Sequence, residues 1–334
     1  MKNLFVLKSP LQIINALEAV AHFKLSNNIF VLIYTDSLAN ENQMRELVNS
    51  NNIDGIEIIH VKKEFKSKFL KYVQLIKQFK KDKYNYLFLG EIGKFHKVLL
   101  ANIKKEKVFL LDDGTATIKF YNEVIKTNKY NRYKFKEIRF LLFGLRVKIK
   151  DKMNLFTYFD LEPIHGIEIV KNRLENLRKN YQEQMHKHNE DTIYFIGEPL
   201  DDINVIDTNT YKNMIENLIN MFKKKTIYIP HRYESNQLKK TISSIDNKLF
   251  EIKDINRPIE TYFIEQKIYP KHIISCSSTA LTTLGMMYEE AIVNIIKIPE
   301  NDINKAYFDS FLREFYKNSD QSKMITFKDL GIIK

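Results

Sequence analysis

Short apolar runs alternate along the chain with longer segments in which apolar residues recur every three or four positions. In the first third of the chain the apolar runs predict strands at 3–8, 29–35, 56–61, 86–91 and 108–113. The segments between them predict helices at 11–24, 41–52, 66–83 and 95–106. Strands that are apolar throughout and alternate with helices are typical of a parallel sheet covered on both faces. The pattern therefore predicts a doubly wound α/β domain over residues 1–150.

The alternation weakens between about 120 and 190 and then resumes. Residues 151–190 include a long, strongly charged segment, which predicts an interdomain helical region. Beyond it, strand and helix segments are predicted in turn at 192–199, 210–225, 226–231, 249–254, 258–266, 272–278, 279–290 and 291–299. The segment 304–318 predicts a closing helix. We therefore expect a second α/β domain over 191–334, and two doubly wound, Rossmann-like domains facing each other across a cleft.

Composition narrows the classes of protein that remain. The 334 residues include 53 Lys and Arg against 41 Asp and Glu, a formal charge of +12, and only 9 glycines. Neither GxGxxG nor GxxxxGK[ST] occurs, which excludes nucleotide binding through those two glycine-rich loops. The single cysteine, Cys276, excludes an internal disulfide framework and a thiolate metal cluster, and it fits a reducing compartment. No apolar run is long enough to span a bilayer, so we expect a cytoplasmic protein.

Candidate chemistry lies where the predicted strands end, because ligands of parallel sheets bind beyond the carboxyl ends of the strands. Asp112 and Asp113 end the fifth strand, and the alternation of side chains allows only one of them to face a ligand. Asp201 follows the Gly-Glu-Pro turn after the next strand. His231 follows a proline at the end of a buried strand, which holds it at a fixed height for general acid chemistry near neutral pH.

Two further segments offer contacts for an anionic ligand. Ser277, Ser278 and Thr279 lie between a strand and a helix, where hydroxyl and free N–H groups can bind an anion without a glycine loop. Glu260 lies in the first turn of the preceding helix, where it can accept hydrogen bonds from ribose hydroxyls. Each feature also has a purely structural interpretation: a helix N-cap for the serines, and complementation of the helix dipole for the glutamate.

Five segments occur together in a recognisable order: LLDDGTAT at 110–117, FIGEP at 195–199, YIPH at 228–231, PIETYF at 258–263 and CSSTALTT at 276–283. This ordered set resembles the bacterial sialyltransferases of glycosyltransferase family 52, which build the termini of lipooligosaccharide and capsule. The resemblance implies a GT-B-like fold, CMP-sialic acid as donor and a galactose-type acceptor. It also implies inversion at the anomeric carbon, with no cofactor and no metal.

The resemblance assigns a role to individual residues. His231 matches the histidine that protonates or hydrogen-bonds the leaving CMP phosphate, and Asp201 matches the base that deprotonates the acceptor hydroxyl. The remaining matches are donor contacts: the phosphate-binding turn Ser277 and Ser278 before Thr279, the ribose contact Glu260, and the cytidine-side backbone of Gly197, Glu198 and Pro199.

The sequence departs from the family pattern at two positions. Arg232 stands where the family usually has proline, and we expect its guanidinium to bind the donor's phosphate or carboxylate. Leu200 separates Pro199 from the first aspartate, so the base role stays open between Asp201, Asp202 and Asp112.

Two other functions compete with sialyl transfer: a GT-B enzyme that uses another nucleotide sugar, and a basic protein that binds anions or membranes without catalysis. Basic residues are spread over the chain and no nucleic-acid fold signature occurs, so we expect no nucleic-acid partner. We expect the basic segments around 62–83 and 126–150 to rest on the anionic inner face of the cell membrane. The resemblance further implies a homodimer.

Overall fold

The computed structural model of the protein describes residues 1–35, 37–50, 56–61, 68–131, 138–182, 189–201, 205–300, 303, 312–318 and 323–332. The chain forms two compact units, Met1–Asn176 and Leu177–Lys334. Their boundary falls inside the segment 151–190 that the sequence predicts as an interdomain region. Asp202, residues 51–52 and 62–67, and most of the predicted closing helix lie outside the described residues.

The first unit is built on a parallel sheet in the order β3-β2-β1-β4-β5-β6-β7. Its strands are β1 (Lys2–Leu7), β2 (Asn28–Ile33), β3 (Ile56–Val61), β4 (Lys83–Leu89), β5 (Lys104–Leu111), β6 (Asn154–Thr157) and β7 (Ile169–Lys171). Its helices are α1 (Pro10–His22), α2 (Leu38–Ser50), α3 (Lys68–Phe79), α4 (Lys94–Asn102) and α5 (Thr115–Phe120). A π-helical turn, Tyr121–Ile125, continues α5, and α6 (Glu175–Gln182) spans the unit boundary.

The centre of this sheet is apolar on both faces, as the uninterrupted apolar runs predict. Phe5 of β1 stacks on Phe88 of β4 with ring centroids 4.5 Å apart, and it lies 4.7 Å from Phe30 of β2. β1 and β2 are buried along nearly their whole length. The chain leaves β1 at Ser9, whose hydroxyl accepts a hydrogen bond from the Gln12 N–H and so caps α1.

The second unit repeats the arrangement with a parallel sheet in the order β10-β9-β8-β11-β12-β13. Its strands are β8 (Asn189–Ile196), β9 (Lys225–Ile229), β10 (Phe250–Ile252), β11 (Pro270–Ser275), β12 (Ile292–Lys297) and β13 (Met324–Thr326). Its helices are α7 (Thr208–Phe222), α8 (Asn236–Ser243), α9 (Ile259–Glu265), α10 (Ala280–Met287) and α11 (Arg313–Asn318). The prediction of two doubly wound parallel sheets is confirmed.

The structure differs from the sequence prediction mainly at the sheet edges. Residues 151–190, predicted as an interdomain helical region, contain β6 and β7 of the first sheet before α6 begins. β7 and β13 have three residues each, and a run of that length is too short to establish a period. β5 begins at Lys104, inside the predicted helix 95–106, because the charged run at 104–107 pairs with the first residues of β4.

Each sheet has one point at which the order of strands reverses along the chain: between β1 and β4 in the first, and between β8 and β11 in the second. Such switch points leave a crevice beyond the carboxyl ends of the two strands, where ligands of open α/β sheets bind. A ligand site is therefore expected at one of these crevices. No described helix combines the length and apolar character needed to cross a bilayer.

Candidate functional site

The residues predicted from the second half of the chain meet at the carboxyl edge of the second sheet. Gly197 and Glu198 follow β8, His231 follows β9, and Ser277 follows β11. β8 lies between β9 and β11, so parallel pairing brings these three strand ends together. The sheet topology therefore brings these residues, selected from the sequence, to neighbouring strand ends.

Glu198 occupies the turn after β11 with its own carboxylate. Its Oε1 accepts hydrogen bonds from the Ser275 hydroxyl at 2.6 Å, the Cys276 N–H at 3.0 Å and the Ser277 N–H at 2.6 Å. Its Oε2 accepts one from the Ser277 hydroxyl at 2.6 Å. The donor groups predicted to hold a ligand phosphate at Ser277 are thus satisfied within the protein. In this geometry Ser277 and Glu198 tie β8 to β11, and their contact with the donor stays a prediction.

The two residues after Ser277 have hydrogen-bond donors that a ligand can use. Ser278 and Thr279 are half-buried, and within the described chain their backbone N–H groups donate no hydrogen bond. The Ser278 hydroxyl oxygen accepts only a long bond, 3.3 Å, from the Ala280 N–H. These two N–H groups stand at the start of α10, where the helix dipole favours an anion. Of the three residues predicted to bind an anion, Ser278 and Thr279 are therefore the two whose backbone N–H groups no described residue uses.

His231 is held as a neutral hydrogen-bond donor. Its Nδ1 accepts a hydrogen bond from the Tyr233 N–H at 3.2 Å, so the ring proton of the neutral side chain lies on Nε2. Burial, reinforced by the charge of Arg232, lowers the pKa of His231 to about 4. Nε2 makes no hydrogen bond among the described residues. Near neutral pH the side chain therefore offers an uncharged N–H to a ligand.

Glu234 fixes the backbone of that histidine, and the sequence analysis did not identify it. Its Oε1 accepts hydrogen bonds from the His231 N–H at 2.7 Å and from the Tyr228 hydroxyl at 2.9 Å. Its Oε2 is buried and has no hydrogen-bond partner among the described residues. Burial raises the pKa of Glu234 to about 7. The available signal was a carboxylate three residues after a strand-end histidine, a weak one without the structure.

Gly197 is required by this network. A Cβ atom at that position would lie 2.2 Å from Glu234 Oε1 and 2.6 Å from the Tyr228 hydroxyl oxygen. Its N–H already donates to the Ile229 carbonyl, and the Glu198 N–H donates to the Tyr211 hydroxyl. The backbone N–H groups of the predicted cytidine-side contact are therefore already used, and the role of Gly197 here is close packing.

Arg232 and Glu260 lie beside this loop. Glu260 is buried, and its Oε1 accepts a hydrogen bond from the Thr283 hydroxyl at 2.6 Å. Burial raises the pKa of Glu260, while that hydrogen bond and the charge of Arg232 act in the opposite direction. Arg232 stacks over the Tyr233 ring, 5.0 Å from its centroid. One guanidinium thus lies near both His231 and Glu260, a placement suited to a negatively charged ligand.

Asp201 lies half-buried at the end of the Gly-Glu-Pro turn. Its Oδ2 accepts a hydrogen bond from the Ser235 hydroxyl at 2.7 Å, and its Oδ1 has no hydrogen-bond partner in the described part of the chain. Leu200 is buried, which explains the residue inserted before the aspartate: it fills the core beneath the turn. Pro199 is half-buried beside it.

In the first unit the two aspartates after β5 separate as alternation requires. Asp112 is fully buried, and its two oxygens accept hydrogen bonds from the Thr157 hydroxyl and the Tyr158 N–H, each at 2.7 Å. Burial raises its pKa to about 7. Asp112 therefore joins β5 to β6, and its predicted role as acceptor base has no support in this geometry. Asp113 is the half-exposed carboxylate of the pair, and Gly114, at φ +64°, makes the turn that follows.

The absence of a metal was also expected. Among the described residues no group of three or more His, Cys, Asp or Glu side chains is placed to hold a metal ion. Metal independence itself stays a prediction.

Two doubly wound parallel sheets, each with polar strand ends at its carboxyl edge, define a protein of the two-domain Rossmann-like class. Neither a protein-family model nor a curated protein matches the sequence. In structure, the chain is similar to the UDP-GlcNAc 2-epimerase of Methanocaldococcus jannaschii, at 14% identity and TM-score 0.54, over 98% of this chain and 88% of that one.

A putative UDP-N-acetylglucosamine 2-epimerase from Listeria monocytogenes is 11% identical with TM-score 0.55, over 95% of this chain and 88% of that one. An E. coli heptosyltransferase with ADP is also matched, at 11% identity and TM-score 0.44, over 95% and 98% of the two chains. The two parallel sheets, together with the two similarities whose TM-scores exceed 0.5, show a GT-B-like fold, which confirms the predicted fold class. The family 52 resemblance stays a prediction.

Proposed function

We propose that the protein is an inverting, metal-independent sialyltransferase that moves sialic acid from CMP-sialic acid to a galactose-type hydroxyl of a surface glycan such as lipooligosaccharide or capsule. The observation that carries the proposal is His231, fixed at the carboxyl end of β9 with an uncharged Nε2–H that no described residue engages. The resemblance in sequence supplies the identity of that ligand, a departing CMP phosphate.

The leaving group needs stabilisation of negative charge. As the bond between the sialyl anomeric carbon and the phosphate oxygen breaks, its electron pair stays on the phosphate. His231 Nε2–H donates a hydrogen bond to that oxygen, and the N–H groups of Ser278 and Thr279 offer further donors at the start of α10. Arg232 adds a fixed positive charge near His231, which favours a phosphate or carboxylate.

The acceptor hydroxyl must lose its proton as its oxygen bonds to the anomeric carbon. We assign Asp201 as the base that takes this proton. Its Oδ1 has no hydrogen-bond partner among the described residues, and the Ser235 hydroxyl orients its Oδ2. The proton passes from the acceptor oxygen to Asp201, and CMP departs with the electron pair of the broken bond. Asp202 lies outside the described residues and is the alternative base.

The second candidate is a GT-B enzyme acting on a UDP-sugar. The UDP-GlcNAc 2-epimerase of Methanocaldococcus jannaschii and the putative one of Listeria monocytogenes share this chain's fold, with TM-scores of 0.54 and 0.55. Against that candidate stands the ordered set of strand-end motifs, which resembles enzymes that use CMP-sialic acid.

A donor-hydrolysis screen separates the two functions. The protein is incubated with CMP-sialic acid, UDP-N-acetylglucosamine and a GDP-sugar, each with and without a soluble galactoside, and the released nucleotide is measured. We expect CMP release, stimulated by the galactoside, and a sialylated product. Turnover of the UDP-sugar without CMP release would contradict the proposal and favour the second candidate.

A further inference from the structure

A basic pocket lies at the opposite edge of the first sheet from its strand-end residues. It has a volume of about 650 Å³ and borders the amino ends of β4 and β5, at Lys83 and Lys104. Six Lys or Arg side chains and one Asp line it. Because ligands of such sheets react at the carboxyl ends of the strands, this pocket is placed for anchoring and away from the catalytic edge of its sheet.

Most of its positive charge is not neutralised by the part of the chain that the structure describes. Four basic side chains have no acidic partner among the described residues: Lys104, Arg146, Lys148 and Lys150. Lys105 differs, since its side chain is only 6% exposed, pairs with Asp151 at 2.9 Å and donates to the Leu100 carbonyl at 2.8 Å. A buried, paired lysine thus forms the base of the pocket, and unpaired cations form its rim.

Side-chain hydrogen bonds fix the backbone of the segment that contributes Arg146, Lys148 and Lys150 to the rim. The Asn102 side chain accepts a hydrogen bond from the Arg146 N–H at 3.0 Å and donates one to its carbonyl at 2.7 Å. Asn131 makes the same pair of bonds with Ile149, at 2.9 and 3.0 Å. Leu145 and Ile149 are buried, whereas Arg146, Lys148 and Lys150 are exposed.

An exposed apolar tip adjoins this rim. Leu142 is 85% exposed, Leu141 50% and Ile138 47%. Leu141 and Leu142 lie in a 3₁₀ turn, Leu141–Phe143, that buried Phe140 anchors and that ends at Gly144 with φ +72°. Arg139 stacks on Phe69 of α3 nearby, 3.9 Å from the ring centroid. Exposed leucines held beside unpaired cations are the combination that binds a membrane interface.

We propose that this surface docks the protein on an anionic phospholipid membrane, with headgroup phosphates at Lys104, Arg146, Lys148 and Lys150 and with Leu141 and Leu142 entering the interface. A nucleic acid would use the cations alone and leave the leucines in water, so the two features together favour lipid. The inference extends the membrane contact expected from charge, and it is independent of the sugar donor proposed above.

Vesicle co-sedimentation tests the docking surface. We expect the full chain to bind vesicles of phosphatidylcholine with phosphatidylglycerol, to ignore pure phosphatidylcholine, and to dissociate as salt is raised. The triple substitution R146Q/K148Q/K150Q should weaken binding about a hundredfold, at about fivefold per charge. L141S/L142S should weaken it about tenfold without changing the net charge.

Matched controls lie in the second unit. K223Q/K240Q/K248Q removes three exposed lysines, and M221S removes a methionine that is 50% exposed, like Leu141. Both should bind vesicles as the unaltered protein does. The proposal is overturned if the unaltered protein does not bind anionic vesicles, or if the basic-rim variant binds them normally. It is also overturned if L141S/L142S binds vesicles normally and excess inorganic phosphate releases this variant from them. The pocket would then serve a soluble anion.

A second assay distinguishes the docking surface from the proposed function. It measures release of CMP from CMP-sialic acid, with a soluble galactoside, by the unaltered protein and the same variants. In the unaltered protein, intact CMP release without vesicle binding would overturn the docking surface alone, whereas in R146Q/K148Q/K150Q the same result is the expected one. Vesicle binding without CMP release would overturn the proposed function alone.

Discussion

Two loops at the same edge of the second sheet contain similar residues and differ in what they leave available. The turn after β11 has hydroxyl and N–H donors, but Glu198 accepts hydrogen bonds from Ser275, Cys276 and Ser277. The loop after β9 also encloses a carboxylate, Glu234, which binds the backbone of His231 and leaves the imidazole Nε2–H unpaired among the described residues.

The difference teaches which polar strand ends bind ligands and which hold the sheet together. A buried polar group whose partners are all internal contributes stability, whereas one whose free donor faces outward can contribute binding. By this criterion Glu198 and Ser277 are structural, and so is Asp112 in the first unit. His231, Ser278 and Thr279 are the groups that a ligand can use. The following substitutions test this division.

The largest effect is expected at the histidine. His231→Ala should lower transfer from CMP-sialic acid by roughly 10²–10⁴-fold, because the leaving phosphate loses its hydrogen-bond donor. The thermal midpoint should stay close to that of the unaltered protein, since the substitution leaves the Glu234 contacts with the backbone in place. His165→Ala, at an exposed histidine of the first unit, is the matched control. Near-normal transfer by His231→Ala would remove the residue from the mechanism.

The next effect is on stability. Glu198→Ala should lower the free energy of unfolding by about 3 kcal/mol, since several buried donors of the β11 turn lose their acceptor. Glu198→Gln should cost less because its amide oxygen still accepts. Urea denaturation measures both. Glu300→Ala, at an exposed carboxylate of the same unit, should change the free energy by no more than about 0.5 kcal/mol. A stable Glu198→Ala protein that lost only donor affinity would return Glu198 to the ligand-binding group.

Substitutions at two glycines, Gly197 and Gly285, test the constraint that Glu234 places on the loop after β9. Gly197→Ala should destabilise the protein by about 1–3 kcal/mol and reduce activity, because its Cβ would displace Glu234 and Tyr228 and so release His231. Gly285→Ala in α10 is the control: its Cβ would meet only Val293 Cγ2 at 3.4 Å, and helix propensity favours alanine. Thermal denaturation and transfer assays compare the two. Equal behaviour of the two variants would show that the Glu234 network does not constrain the loop.

The smallest effect concerns pH. Burial raises the pKa of Glu234 to about 7, from an ordinary value near 4.5, so the folded state holds a proton that the unfolded chain has released between those values. The stabilisation from this group is therefore complete below pH 4.5 and is lost as pH rises to about 7. Glu234→Gln should flatten this slope by about 1 kcal/mol per pH unit between those values and preserve the bonds to His231 and Tyr228. An unchanged difference between the two proteins from pH 5 to 8 would contradict the assignment.

The central fold was predictable because its signal is local and repeated. Apolar runs such as 56–61 coincide with strands, and the strand-end position of His231 follows from Pro230 and the buried run before it. The short strands β6, β7 and β13 were not predictable, since they are defined by pairing with other segments. The equally short edge strand β10 differs, because it lies within the predicted segment 249–254.

The hydrogen-bond partners of the site residues were harder to predict from the sequence than the positions of those residues. Glu198 and Ser277 are separated by 79 positions, so no sequence spacing indicates that one satisfies the other. The same limit applies to Asp112 and Thr157, 45 positions apart, whose hydrogen bond makes the aspartate structural. Sequence patterns locate strand ends, whereas only the three-dimensional pairing distinguishes a free donor from an occupied one.

The most direct test of the proposed function is a thermal-shift comparison of CMP, CDP, UDP and GDP with the full chain. A CMP enzyme whose phosphate lies at His231, Ser278 and Thr279 should be stabilised selectively by CMP, and His231→Ala should lose most of that shift. Stabilisation by UDP or GDP with no response to CMP would contradict the proposed donor, and an equal CMP shift in His231→Ala would contradict the proposed site.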